Sequence, residues 1–217
     1  MLRLVILASG RGSHFDNIAR LAQEHPKDIC IEMLLCDKPA APVIQKAQQA
    51  GIPVSVAEPN QKTRSIERSF LESINKSQPD FVLLAGYMRL LSHTFIDACP
   101  VPILNIHPSL LPKYKGLHTH HQALAAQDSL HGATLHVVTP QLDSGPIIAW
   151  AQLPILKTDT PDSLAERLLP LEHRLYACVI GWLAEKRLYW DYELKQFIFD
   201  HQPIPPRGLA FEEYGLA

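Results

Sequence analysis

Leu2-Arg3-Leu4-Val5-Ile6-Leu7-Ala8-Ser9-Gly10-Arg11-Gly12-Ser13 begins with an apolar run and ends in a small-residue turn. Leu2 to Leu7 is the short, nearly continuous apolar run expected of a strand buried on both faces of a parallel sheet. Ser9 to Ser13 turns the chain, and Phe15 to Gln23 reads as a helix. The same signals then recur. Ile29 to Cys36 is a second strand. Pro42 to Ala50 is a helix stopped by Gly51, the favoured residue after a helix end. Ile52 to Val56 is a third strand. Ser65 to Lys76 is amphipathic, with Ile66, Phe70, Leu71 and Ile74 on one side and Arg64, Glu67 and Arg68 toward solvent. Phe81 to Ala85 is a fourth strand, Ser92 to Ala98 a helix and Ile103 to Ile106 a fifth strand. This alternation predicts an α/β fold: a Rossmann-like open, mostly parallel twisted sheet with helices on both faces.

Beyond residue 130 the texture changes. Thr134 to Val138 and Ile147 to Leu153 are strand-like and close in sequence, which predicts antiparallel strands toward the C-terminal part. Thr160-Pro161 is a helix start, Thr as cap and Pro at the first helical position. That helix runs to Ala184 with Leu164, Leu168, Leu171, Leu175 and Val179 along one stripe, and Pro170 inside it should kink it. Leu188 to Trp190 and Gln196 to Phe199 suggest a small hairpin, and Pro203 to Pro206 a loose tail.

Composition narrows the function classes. The 217 residues suit a single domain, and 47% hydrophobic residues can fill its core. The 20 basic and 22 acidic residues leave a formal charge of −2, so no basic excess points to nucleic acid. Cys30, Cys36, Cys99 and Cys178 form no CxxC pair and read as reduced thiols of a cytoplasmic protein. The N-terminus is apolar for too few residues to span a bilayer and reads as a strand rather than a signal peptide, and no membrane helix is expected.

Three places carry chemistry. Ser9-Gly10-Arg11-Gly12-Ser13 follows a strand and opens a helix, where unpaired N–H groups and the helix dipole suit a phosphate monoester. The dinucleotide fingerprint is not met, because Phe15 stands where its third glycine would be. Asn105 and His107 end a strand, two residues apart and so on one face. One is an amide donor and the other a group that titrates near neutrality, a pair suited to a carbonyl oxygen becoming an anion. Leu142-Asp143-Ser144-Gly145-Pro146 follows the next apolar run and can bring a carboxylate to orient His107. This reads as acyl transfer without a covalent nucleophile. His118-Thr119-His120-His121 has no Cys, Asp or Glu beside it at ligand spacing, so it reads as a surface loop running into a helix rather than a metal tract, and no metal is expected.

From Leu2 to about Leu188 the chain resembles the phosphoribosylglycinamide formyltransferases, folate-dependent enzymes of purine biosynthesis. The likeness is carried by Leu83-Leu84-Ala85-Gly86-Tyr87-Met88-Arg89, by Asn105-Ile106-His107-Pro108-Ser109-Leu110-Leu111-Pro112-Lys113-Tyr114, and by Gly116-Leu117-His118-Thr119-His120. Leu142-Asp143-Ser144-Gly145-Pro146 and Glu172-His173 complete it. The Asn-x-His plus Asp set is shared by the wider formyl-transfer group.

The resemblance implies one formyltransferase domain over residues 1–217. Its parts are a nucleotide-binding half (1–100), a catalytic and folate-binding half (101–190), and a C-terminal hairpin and tail (191–217). It implies that the amine of glycinamide ribonucleotide attacks the formyl carbon of 10-formyltetrahydrofolate, a co-substrate. Asn105 and His107 then meet the oxyanion, while Asp143 holds His107 and assists proton movement through water. Gly12, Ser13 and His14 would hold the nucleotide phosphate and Glu172 the ribose hydroxyls. Folate would lie against Met88, Arg89, Leu90, Leu91, Asn105, Thr139, Pro140, Gln141, Leu142 and Asp143, with Arg64 a candidate for its glutamate tail. Partners would be these small molecules alone, with no nucleic acid or membrane, and the protein a monomer or homodimer.

Some positions depart from the family pattern. His14 stands for a usual Asn, and Leu169-Pro170-Leu171 precedes Glu172 where a polar residue is frequent. Lys115 and His121 stand for Pro and Arg, and Ser144 for Gly or Ala. These fall mainly on the nucleotide side, which keeps in play a related folate-dependent formyltransferase or hydrolase with another acceptor. A non-catalytic folate- or nucleotide-binding descendant is the remaining alternative. Deformylase and transfer-RNA formylation are disfavoured because their additional N-terminal and C-terminal domains are not expected here.

Overall fold

The computed structural model describes residues 1–214, which divide into two compact units, Met1–Leu104 and the chain from Asn105 onward. In the first unit β1 (Leu2–Ala8), α1 (Ser13–Glu24), β2 (Ile29–Cys36), α2 (Val43–Gln49) and β3 (Val54–Val56) follow in order. Then come α3 (Thr63–Ser77), β4 (Phe81–Leu84) and α4 (His93–Ala98). β1 pairs in parallel with β2 and with β4, and β2 in parallel with β3. The centre of this sheet is the opening apolar run: Leu4, Val5, Ile6 and Leu7 are fully buried. Each such side chain contributes about 1.5–3 kcal/mol by leaving water.

The turn after β1 is dictated by close approach. Gly12 lies at φ +80, and a Cβ there would stand 2.7 Å from Val43 Cγ2. Glycine alone satisfies both conditions, so α1 starts immediately at Ser13, two residues before the apolar pattern predicts. In α3 the stripe Ile66, Phe70 and Ile74 is buried while Leu71 is half-buried. Glu67, expected in solvent, is instead buried. Its carboxylate accepts from Ser92 N at 2.8 Å and Ser92 Oγ at 2.6 Å, and Ser92 Oγ in turn caps α4 by accepting from Phe95 N at 3.1 Å. Amphipathic spacing cannot see such a partner on another helix.

β5 (Ile103–His107) carries the chain into the second unit. There α5 (Thr119–Ala125), β6 (Leu130–Val137), β7 (Ile147–Pro154) and α6 (Pro161–Ala184) follow. β6 and β7 are antiparallel, as expected. β6 begins four residues earlier than Thr134 because Gly132, which reads as a breaker, is a strand residue whose Cβ would sit 2.1 Å from Ala151 O. The predicted hairpin is β8 (Leu188–Asp191) with β9 (Gln196–Phe199), extended by β10 (Gln202–Pro203) into a three-stranded antiparallel sheet. The hairpin thus begins before residue 191. The tail is also less loose than expected: β11 (Leu209–Ala210) pairs in parallel with β7, followed by α7 (Phe211–Tyr214).

α6 runs unbroken through Pro170, which lies on its exposed side, and Leu164, Leu168, Leu175 and Val179 are buried while Leu171 is half-buried. No helix among the described residues is long and apolar enough to cross a membrane. Thr160 and Ser163 form a reciprocal capping box at the start of α6, at 3.2 and 2.9 Å. Thr160→Ala should therefore cost about 1 kcal/mol. Urea denaturation reads this as a lower midpoint at unchanged slope, and an unchanged midpoint would mean that the cap is idle.

Candidate active site

In the first unit the candidate residues gather at the carboxyl ends of parallel strands, where open α/β sheets place ligands. Ser13 and His14 occupy the first turn of α1 behind Gly12. Ser9 Oγ donates to buried Asp37 at 2.5 Å and accepts from Met88 N at 2.9 Å. Arg89 reaches the other Asp37 oxygen through Nε at 3.3 Å and Thr63 Oγ1 through Nη1 at 2.8 Å. Met88–Leu91 is therefore held by its backbone and by Arg89. Met88 is left 67% exposed and Leu90 73% exposed, apolar surface without cover. Arg64 is exposed in the first turn of α3. Sequence reasoning placed Ser9 in the turn but missed Asp37 and their link, which joins the ends of two strands 28 residues apart.

In the second unit the three residues expected to carry chemistry converge. His107 Nδ1 lies 3.4 Å from Asp143 Oδ2, with side chains 6% and 9% exposed. His107 Nε2 faces the Tyr114 carbonyl at 2.8 Å, so acceptors hold the ring at both ends. Asp143, at φ +43, also accepts from Gly116 N at 2.8 Å. Asn105 Nδ2 lies 3.2 Å from Nε2 of His136, a buried residue that sequence reasoning did not single out. Its signal was present: His136 lies on β6, two residues from Thr134, whose Oγ1 donates to Ser109 O at 2.7 Å. Burial pushes the His136 imidazole below its ordinary value.

The loop from Pro108 to His118 is tied down along its length. Ser109 Oγ donates to Lys113 O at 2.6 Å, and Tyr114 Oη and Lys113 Nζ both reach Asp128. Those two donors hold the Asp128 carboxyl below the usual range. Two departures from the family pattern turn out to be partners: Lys115 Nζ donates to Ser144 Oγ at 2.6 Å. Thr139–Leu142 forms an exposed loop after β6, with Thr139 Oγ1 donating to Gln141 O at 3.2 Å. Asp143 also borders an open cavity of about 610 Å³ beside Leu111, Pro112 and Phe197.

His118-Thr119-His120-His121 is not wholly a surface loop. Thr119 starts α5 and is buried, and His120 Nδ1 meets buried His131 Nε2 at 3.0 Å. Buried Glu172, on α6, opposes their neutralisation, but burial outweighs it and lowers both histidines. Among the described residues, no three His, Cys, Asp or Glu side chains are grouped to hold a metal ion.

A buried imidazole and carboxylate beside an amide donor can meet an oxyanion and move a proton without an enzyme nucleophile. The formyl transferase family matches residues 2–180, and the chain belongs to it. More narrowly, it is 37% identical to the phosphoribosylglycinamide formyltransferase of Escherichia coli (strain K12), over 98% of this chain and 100% of that one. The enzyme of that name from Bacillus subtilis (strain 168) is 37% identical over 84% of this chain and 95% of its own. The structure of the Coxiella burnetii phosphoribosylglycinamide formyltransferase superposes with a TM-score of 0.87 at 37% identity. It covers 96% of this chain and 98% of its own.

The His120–His131 contact has a measurable signature. His131 is lowered to about 4 from an ordinary 6.5, first by burial and then by His120. Between those values the unfolded chain takes up a proton that the folded one refuses. The contribution to stability is complete above about 6.5 and is lost as pH falls toward about 4. Urea denaturation at pH 7 and pH 5 should show the wild-type protein weakening on acidification and His131→Asn weakening less. Equal weakening in both would assign the acid sensitivity elsewhere.

Proposed function

We propose that the chain transfers the formyl group of 10-formyltetrahydrofolate to the amine of N1-(5-phosphoribosyl)glycinamide, in de novo purine (IMP) biosynthesis. The observation that carries this reading is the convergence of Asn105, His107 and Asp143 in one buried polar cluster. Full-length similarity to phosphoribosylglycinamide formyltransferases supplies the acceptor.

The amine attacks the formyl carbon and its C=O electrons move to oxygen. An Asn105 N–H and His107 meet that oxyanion, His107 Nε2 exchanging the Tyr114 carbonyl for it. A positioned donor of this kind lowers a barrier by roughly 3 kcal/mol. Asp143 holds His107 from the other side. It borders an open cavity, through which water can carry the amine proton away as the folate nitrogen leaves with one. On the substrate side, Gly12, Ser13 and His14 take the phosphate through the N-terminus of α1, and Glu172 accepts from the ribose hydroxyls. Met88, Leu90 and Leu142 offer uncovered apolar surface to the folate, Leu91 following the first two in the chain and Thr139, Pro140 and Gln141 preceding Leu142. Arg64 supplies a cation for its glutamate tail, while Arg89, bound to Asp37 and Thr63, fixes the segment the folate lies against. The chain works as a single formyltransferase domain, in the cytoplasm, as a monomer or homodimer, with no metal in the reaction.

Three outcomes test this. Purified protein should turn over a 10-formyl folate analogue only when the glycinamide ribonucleotide is added. Formyl loss without acceptor would replace transfer by hydrolysis. His107→Ala should lower kcat about 10²–10⁴-fold while circular dichroism stays unchanged, and near-normal turnover would remove His107 from the mechanism. His14→Asn should lower the KM for the nucleotide, and an unchanged KM would place the phosphate elsewhere.

A further inference from the structure

Asn105 has two faces, a donor and an acceptor, and an oxyanion can use only the donor. We propose that His136 is a positioning residue which sets the flip of the Asn105 amide and so leaves an N–H for the formyl oxygen. This rests on the function proposed above and adds a residue to that site.

The assignment follows from hydrogen-bond directions. His136 Nδ1 lies 2.9 Å from the Val137 carbonyl, which can only accept, so Nδ1 carries a proton. The ring is 2% exposed, and burial disfavours a second proton. Nε2 therefore presents a lone pair. The atom facing it at 3.2 Å must be a donor, which is Asn105 Nδ2 and not Oδ1. Asn105 gives one N–H to His136 and keeps the second. A reversed amide would set two acceptors against each other in a buried site. The nearest Asp143 oxygen stands 3.6 Å from Nε2, too far for a competing hydrogen bond.

Backbone geometry holds the ring in this pose. The register of β6 against β7 shifts between Leu135 and His136, an irregularity that re-aims a side chain. The Val137 peptide is fixed on both sides. Its N–H donates to Pro146 O at 2.9 Å, and a Cβ on Gly145 would come within 1.9 Å of its oxygen. The carbonyl that selects the His136 tautomer thus also seats the turn bearing Asp143. Amide and carboxylate are both set at the backbone of Val137.

The test compares His136→Leu, which removes the acceptor, with His136→Gln, whose side-chain oxygen can stand where Nε2 does. His136→Leu should lower kcat about tenfold to a hundredfold, less than outright loss of an oxyanion donor, with both KM values little changed. His136→Gln should recover most of that loss. In an Asn105→Ala background His136→Leu should do nothing further, since there is no amide left to orient. A loss as large in that background as in the wild type, or Gln and Leu equally slow, would overturn the proposal. If His136→Leu does not fold, ¹⁵N NMR of the unsubstituted protein decides. A neutral His136 protonated on Nδ1 is expected, and protonation on Nε2 overturns the proposal. A wild-type protein that transfers no formyl group would sink the functional reading instead, and the NMR result would still judge the amide orientation.

Discussion

A carboxylate with a side chain 9% exposed must have its charge met inside the protein. Asp143 meets that demand with a backbone N–H from Gly116 and an imidazole from His107. To do so it accepts a left-handed backbone, which an Asp tolerates better than most side chains. The second unit is arranged around this condition. β5 delivers His107, the loop after it turns back to offer Gly116, and the sharp approach of Gly145 to Val137 brings the Asp143 turn inward. Lys115 and Ser144 fasten the same two loops a second time. A buried acid is a poor source of stability, so Asp143 is better placed to orient His107 than to stabilise the fold.

The first unit solves a similar problem with a different aim. Asp37 is buried at the end of β2 and satisfied by Ser9 and Arg89. The satisfied acid makes no cluster of catalytic groups. It anchors the segment Met88–Leu91 by a backbone N–H and a guanidinium, leaving the apolar side chains outward. One unit thus uses a buried acid to hold an imidazole and a loop, and the other uses one to present an open surface.

Much of this was legible in the residues. The run Leu2–Leu7, the Thr160-Pro161 helix start and the antiparallel β6–β7 pair are local patterns, and all three form, β6 with an earlier start. That Asp143 would come to His107 near Asn105 was legible because strand-end position and residue chemistry agree. What escaped depends on partners distant in sequence. Glu67 has the spacing of a solvent residue but serves Ser92. Gly132 looks like a strand breaker but lies where Ala151 leaves no room for a Cβ. His136 sits in an apolar strand and acquires its role only through Asn105, 31 residues away. Lys115 and Ser144 each look like drift and make sense only as a pair.

The two-residue strand β11 has a consequence for biogenesis. It runs along β7 on the side away from β6, where Gly208 lets it approach within reach of Ile147 and Ile148. Until residue 210 has been synthesised, that flank of β7 presents unpaired backbone donors and acceptors. A nascent or truncated chain would carry this open template beside Ala149 and Trp150, ready to recruit a foreign strand. β11 therefore covers Ala149 and Trp150 and puts a two-residue strand, a poor template for another chain, at that edge of the sheet.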